Sequence, residues 1–217
     1  MSKTADPAGT TVVHLVRHGQ VDNPRRVLYG RLPGFHLSDD GRVMAKAAAD
    51  FLAGRDITAL WSSPLERAME SAEPIAAEFG LDVAVDERLI EASNHFEGMT
   101  FGVGDGALRR PGRHWVQLRN PFRPSWGEPY IEVAARMLAV MSDAAKGAAG
   151  HEAVCVSHQL PIVVARRCAE GRKLWHDPRR RQCALSSVTS FTYSGGQITG
   201  VSYAEPAGHI RHQAAGA

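Results

Sequence analysis

Residues 12–20 read VVHLVRHGQ, an apolar, β-branched run that stops at Arg17-His18-Gly19. Val12, Val13, Leu15 and Val16 suit a strand covered on both faces, because a run without polar alternation leaves no face for water. Gly19 has no Cβ, so the chain can turn sharply or approach another group closely there. The run therefore delivers an arginine and a histidine side by side to the C-terminal end of a central strand. Open α/β sheets hold their ligands at that edge. By itself, an Arg-His pair is more often a strand-ending histidine beside a solvated charge, and two later stretches decide against that reading.

Residues 57–61 (ITALW) form a short apolar strand, followed by Ser62-Ser63-Pro64-Leu65-Glu66-Arg67-Ala68. Ser63 to Glu66 has the form of a capping box with Pro64 at the first helical position, which places Arg67 in the first turn of a helix beside the strand end. Residues 153–157 (AVCVS) make a second buried strand, and His158-Gln159 opens a helix with Pro161 in its first turn. All three segments share one grammar: a buried strand, then a cationic or imidazole side chain at the junction where the strand ends. Parallel strands bring such junctions to one sheet edge. Two guanidiniums, two imidazoles and helix N-terminal amides would converge there and suit a phosphoryl dianion.

On these residues the chain resembles the histidine phosphatase superfamily, also called phosphoglycerate mutase-like. Arg17-His18-Gly19 matches its first motif, Ser62 to Ala68 its second and Ser157-His158 its third, in family order. The resemblance implies a three-layer α/β sandwich with a mostly parallel sheet and helices on both faces. It implies a metal-independent phosphomonoester hydrolase, without cofactor, acting on a small phosphorylated metabolite through a phosphohistidine on His18. Arg17, Arg67 and His158 would hold the phosphoryl oxygens, and an acidic residue between the second and third motifs would serve the leaving group. Glu91 is that candidate. The family places the acid seven residues before the Glu of a Glu-Gly pair, whereas Glu91 precedes Glu97-Gly98 by six, so Glu97 is the alternative. Gly19, Asn23 and Gln159 are candidate substrate-binding residues, with Asn23 one position out of the family register. Two rival functions stay open. Mutase-type transfer is disfavoured because residues 91–101 (EASNHFEGMTF) lack the Gly-x-Leu-x-Gly-x-Asn-Lys run of cofactor-dependent mutases. A non-catalytic module that binds phosphorylated ligands is disfavoured because the core residues are all present.

Other chemistries find little support. None of the three cysteines begins a Cys-x5-Arg phosphatase motif, and their odd number and spacing point to a reducing compartment rather than disulfides or a metal. Gly102-x-Gly104-x-x-Ala107 has no strand before it and makes a weak dinucleotide fingerprint. His14 and His18 are four apart, but on a strand, where that spacing does not make a metal pair. A net charge of +2 does not call for nucleic acid, and the Arg179-Arg180-Arg181 run is read as solvated. With no signal peptide pattern and no apolar run near 18 residues, the expectation is a cytoplasmic protein away from membranes. A homodimer is compatible with it.

The rest of the chain divides readily. At 217 residues one domain is expected, over 11–206, with a disordered 1–10 and a loose tail at 207–217. Residues 20–37 form a loop long enough to be functional. Ser38 should cap a helix that carries Val43, Ala47 and Phe51 on one row and Met44, Ala48 and Leu52 on another, ending at Gly54. Pro74 should kink a second helix that ends at Gly80, and 82–86 should be a short strand. Periodicity lapses over 92–127, read as an irregular excursion, and resumes in a helix with Ile131, Ala135 and Leu138 on one face. Val188 to Tyr203 reads as a hairpin turning at Ser194-Gly195-Gly196-Gln197. Within the excursion, 107–126 hold Arg109, Arg110, Arg113, Arg119 and Arg123 among Trp115, Phe122 and Trp126 and no acid. They could overhang the pocket as a lid and draw a second anionic group of the substrate. The competing reading is a solvated loop.

Overall fold

The computed structural model describes residues 9–99 and 127–210. Alternation of strands and helices gives β1 (Thr11–Arg17), α1 (Asp39–Leu52), β2 (Ile57–Ser62), α2 (Glu66–Phe79), β3 (Val83–Val85), α3 (Tyr130–Gly147), β4 (Glu152–Ser157), α4 (Gln159–Ala169), β5 (Val188–Ser194) and β6 (Gln197–Ala204). The strands form one sheet in the order β3-β2-β4-β1-β5-β6. β3, β2, β4 and β1 run parallel, and β5 and β6 close the edge as an antiparallel hairpin. This is the three-layer, mostly parallel α/β sandwich that the family resemblance implies. No helix among the described residues is long and apolar enough to cross a membrane.

The period of two along each strand divides the core. Val13 and Leu15 of β1, with Ala153 and Cys155 of β4, pack under α3 and α4. Val16, Val154 and Val156 face the other way, against α1 and α2. Both faces of β1 are thus covered, which is why its sequence is apolar without alternation.

Ser38 caps α1 by accepting from the Gly41 amide, and Gly80 ends α2 in the left-handed region. Three local expectations need correction. The α1 row of Val43 and Phe51 faces solvent, while Met44, Ala45, Ala48 and Leu52 are buried. A four-residue apolar row can lie at either margin of a helix, and here the second row takes the buried side. On α3, Ile131 is exposed and Val133, Met137, Val140 and Ala144 carry the core instead. Ser63 does not cap α2. That helix starts at Glu66, after Leu65, with no side-chain cap. The Ser63 hydroxyl is engaged by His158 and the Glu66 carboxylate accepts from the Gly34 amide.

Register aligns the three motif-bearing strands. Arg17 of β1 sits opposite Ser157 of β4, and Val156 of β4 sits opposite Ser62 of β2. Backbone bonds carry the alignment one step past the strands: the His18 amide donates to Ser157 O at 3.1 Å and the Ser63 amide to Val156 O at 3.0 Å. Past β1 the chain presses on the first turn of α1. A Cβ on Gly19 would lie 2.3 Å from Gly41 O, and one on Gly41 would lie 2.0 Å from Gln20 O. Only a pair of glycines permits that contact.

Candidate active site

The register of β1 and β4 places Arg17, His18 and His158 in a row along the C-terminal sheet edge, and α2 brings Arg67 behind them. His18 and Arg67 are buried, and so is His158. The His18 Nδ1 lies 2.7 Å from Gly19 O. A carbonyl only accepts, so Nδ1 carries the proton and Nε2 keeps a lone pair. The His158 ring lies 5.1 Å from His18, centroid to centroid, and its Nε2 lies 2.8 Å from Ser63 Oγ.

Each arginine is anchored through one nitrogen. Arg17 Nη1 donates to Cys183 O at 2.7 Å, and Arg67 Nη2 donates to Gly30 O at 2.6 Å. Four buried nitrogens around His18 find no hydrogen-bond partner among the described residues: Arg17 Nε, Arg67 Nε and Nη1, and His158 Nδ1. Buried donors are almost always paired, so a cluster of unpaired ones defines a place for an anion. Tyr29, from the loop between β1 and α1, lies over the Arg67 guanidinium at 4.7 Å and meets the His18 ring edge-on.

Charge and burial in this assembly set the protonation states. Burial, reinforced by Arg67 and Arg17, holds the His18 imidazole well below its ordinary value of 6.5. The same causes, with His18 itself added, hold His158 well below 6.5. Both rings are therefore neutral near pH 7. Glu91 behaves in the opposite sense: burial raises its carboxyl above the ordinary 4.5, against the pull of the Ala92 amide and of Arg67, Arg17 and Arg181.

A cavity of about 180 Å³ opens onto Arg17 and His18. Glu91 and Gln159 are on its wall, whereas Glu97, Gly19 and Asn23 are not. The Glu97 carboxylate packs against Gly30 and accepts from the Asn94 amide. Gly19 and Asn23, expected to meet substrate, have backbone or side-chain groups bonded within the protein. The Gly19 amide donates to Ser71 Oγ, and the Asn23 amide group is spent on both backbone groups of Val27, closing its own loop.

A second arrangement steadies the segment that carries Glu91. Glu128 accepts from Arg31 at 2.8 Å and from Arg136 at 2.8 and 3.0 Å. The same two arginines grip the backbone around Glu91: Arg31 Nε donates to Glu91 O, and Arg136 Nη1 donates to Arg88 O and Ile90 O. Ser157 Oγ ties the segment to β4 through Leu89 O at 2.6 Å.

Sequence patterns did not single out Tyr29, Tyr130, Glu128 or Arg181, all of which line the cavity. For Arg181, the reading of the triple-arginine run as solvated is corrected: Arg179 and Arg180 are exposed, but Arg181 is half-buried on the wall. The arginine-rich window 107–126 lies outside the described residues, as do residues 1–8 and 211–217. Of the expected loose tail, Ala207 is buried, in a turn closed by the Ile210 amide.

Fold and site together define a phosphate-handling α/β protein built around a buried histidine. Residues 13–206 match the model of the histidine phosphatase superfamily, branch 1, and the chain belongs to that superfamily. An uncharacterised protein of Mycobacterium tuberculosis, Rv0525, is 58% identical over 91% of this chain and 97% of its own length. A glucosyl-3-phosphoglycerate phosphatase of Mycolicibacterium vanbaalenii is 35% identical over 66% of this chain and 67% of its own. Among solved structures, mycobacterial glucosyl-3-phosphoglycerate phosphatase Rv2419c superposes with a TM-score of 0.71 at 25% identity, covering 90% of this chain and 96% of the other. Phosphoserine phosphatase of Entamoeba histolytica, in complex with 3-phosphoglyceric acid, shares the fold with a TM-score of 0.72 at 20% identity, over 91% and 99%.

Proposed function

We propose that the protein hydrolyses phosphomonoesters of small metabolites in two phosphoryl transfers through His18. One observation carries the reading: His18 Nδ1 is committed to Gly19 O, so its free Nε2 lies among four unpaired cationic or imidazole donors. In the first transfer the Nε2 lone pair bonds to phosphorus and the ester P–O bond breaks. Glu91 gives its carboxyl proton to the departing alkoxide, and its raised pKa keeps that proton available. In the second, Glu91 takes a proton from water, the water oxygen bonds to phosphorus, the P–N bond breaks and inorganic phosphate leaves. Arg17, Arg67 and His158 hold the equatorial oxygens throughout, so positioning and electrostatics supply the catalysis. The scheme calls for no metal, because two guanidiniums already offset the phosphoryl charge.

The relatives named as phosphatases support hydrolysis over transfer to a second metabolite. Brief incubation with a labelled phosphomonoester, followed by alkaline quenching, should trap an acid-labile, base-stable phosphoryl group on His18. EDTA should leave the rate untouched. Loss of rate with EDTA that added metal restores would overturn the scheme. Conversion of 3-phosphoglycerate to 2-phosphoglycerate in the presence of 2,3-bisphosphoglycerate, without free phosphate, would replace hydrolysis by mutase chemistry.

A further inference from the structure

The cavity wall carries a cation that the phosphoryl site does not use. Arg181 comes directly after the short turn Pro178–Arg180 and faces the same cavity as Arg17 and Glu91. Its Nε donates to His176 Nε2 at 2.9 Å. His176 can accept there because its other nitrogen, Nδ1, donates to Leu174 O at 2.7 Å, which fixes the tautomer. The His176 ring is buried and stacks on Tyr130 at 5.6 Å, and Tyr130 also lines the cavity. The guanidinium is thus held by its inner nitrogen against a rigid stack. No carboxylate among the described residues pairs with its two terminal nitrogens.

The acids on this wall are already committed. Glu128 is neutralised by Arg31 and Arg136. Burial holds the Glu91 carboxyl above the ordinary 4.5, and its Oε1 accepts from the Ala92 amide. A leaving group entering the cavity therefore meets Arg17 and Arg181 on a wall whose Glu128 is already paired. At about 180 Å³ the space is below the range typical of drug-sized ligands, which favours a compact leaving group. We propose that Arg181 is a specificity residue that binds a carboxylate on the leaving alcohol, so that the preferred substrates are small phosphorylated hydroxy acids. The end-on pair of terminal nitrogens matches the two oxygens of a carboxylate in the bidentate geometry that arginine favours. The Gln159 side chain on the same wall offers a neutral donor to the alcohol. The inference rests on the phosphomonoesterase reading of the His18 site, and it places the second anionic contact on Arg181 rather than on the 107–126 arginines.

A matched pair of substrates tests it: 3-phosphoglycerate and sn-glycerol 3-phosphate differ at one carbon, a carboxylate in the first and a hydroxymethyl group in the second. The wild-type protein should favour 3-phosphoglycerate by about tenfold or more in kcat/KM, the size of one charged hydrogen-bonding interaction. Arg181→Met should raise KM for 3-phosphoglycerate about tenfold at nearly constant kcat, and shift KM for glycerol 3-phosphate far less. Arg181→Lys, which keeps the charge and loses the fork, should fall between. His176→Phe keeps the ring on Tyr130 and removes the acceptor that holds Arg181, so it should shift KM the same way by a smaller factor. Arg179→Gln, on the exposed neighbour paired with Asp177, should change neither substrate. Equal KM effects on both substrates, or no wild-type preference between them, would overturn the subsite. Hydrolysis of both substrates persisting in His18→Ala would instead overturn the phosphohistidine reading, so the two failures are distinguishable.

Discussion

β1 leads into one buried histidine and carries another within it, and the two differ in their partners and in the charge around them. His14 and His18 are both screened from solvent and both held below the ordinary histidine value, chiefly by burial. His14 has both ring nitrogens occupied: Nε2 lies 2.6 Å from a Glu152 carboxylate oxygen and Nδ1 lies 2.8 Å from Ser190 Oγ. The carboxylate only accepts, so Nε2 carries the proton and Nδ1 accepts from the hydroxyl. His18 has the opposite tautomer, one nitrogen occupied, and two arginines where His14 has a glutamate. One ring is saturated and inert, and the other is left with a lone pair among cations. Burial alone therefore says nothing about function. What distinguishes a nucleophile is the partner it lacks and the sign of the charge around it.

The largest expected effect comes from removing the ring proposed as nucleophile. His18→Ala should abolish the phosphoryl adduct and lower kcat on the order of 10⁴-fold or more, as loss of a covalent nucleophile does. His14→Gln, which can still bond Glu152, should leave kcat within about threefold, since nothing at that position meets the reacting atoms. Steady-state rates with a generic aryl phosphate measure both, and a collapse of activity in His14→Gln with a folded protein would erase the contrast.

Next in size is the acid. Glu91→Gln removes the proton but keeps the shape, and should cost about 10²–10³-fold with alkyl phosphates, whose leaving groups need protonation. With p-nitrophenyl phosphate, whose phenolate leaves unaided, the loss should be far smaller. If Glu97→Gln shows that split instead, the proton donor is Glu97. Glu128→Gln loosens the two arginines that grip the backbone around Glu91. It should show the same dependence on leaving group at about a tenfold loss, because misplacement rather than removal is involved. A uniform loss across leaving groups would reduce Glu128 to a structural residue.

The histidine comparison also shows what the sequence could and could not reveal. Arg17, His18, Arg67 and His158 were legible as neighbours because each lies at the end of an apolar strand or in the turn of helix that follows it, and the topology of a parallel sheet then brings strand ends together. Glu91 was legible only as one of two acids, since it rides on an irregular segment whose path no periodicity encodes. Asn23 was read from a family asparagine one position out of register and Gly19 from the freedom of a residue without Cβ. In the structure the Asn23 amide closes its own loop and Gly19 lies close against α1. Arg181 was misread because a run of three arginines looks uniform in sequence, while the turn at Pro178–Arg180 brings only the third to the cavity wall. The faces of α1 and α3 were half-missed for a similar reason: apolar side chains at four-residue spacing mark a row, and only packing decides which row is buried.

The smallest effect concerns stability and separates the two histidines by pH. His14 is protonated more readily in the unfolded chain than in the folded one, because its folded value is lowered from 6.5. Its contribution to stability is therefore fully present above pH 6.5 and is lost as pH falls from there through the depressed folded value. His18 and His158 are lowered more strongly and add to the same slope. Wild-type protein should thus lose stability on acidification below pH 6.5, by up to about 1.4 kcal/mol per pH unit for each histidine that titrates only on unfolding. His14→Gln should cost about 1–3 kcal/mol at pH 7.5, where the ring's two hydrogen bonds are intact. It should also flatten the acid slope by one proton. Urea titrations between pH 5 and 7.5 read both quantities. An unchanged slope in His14→Gln would mean that His14 is protonated alike in both states, with Glu152 holding the imidazolium as well as the neutral ring.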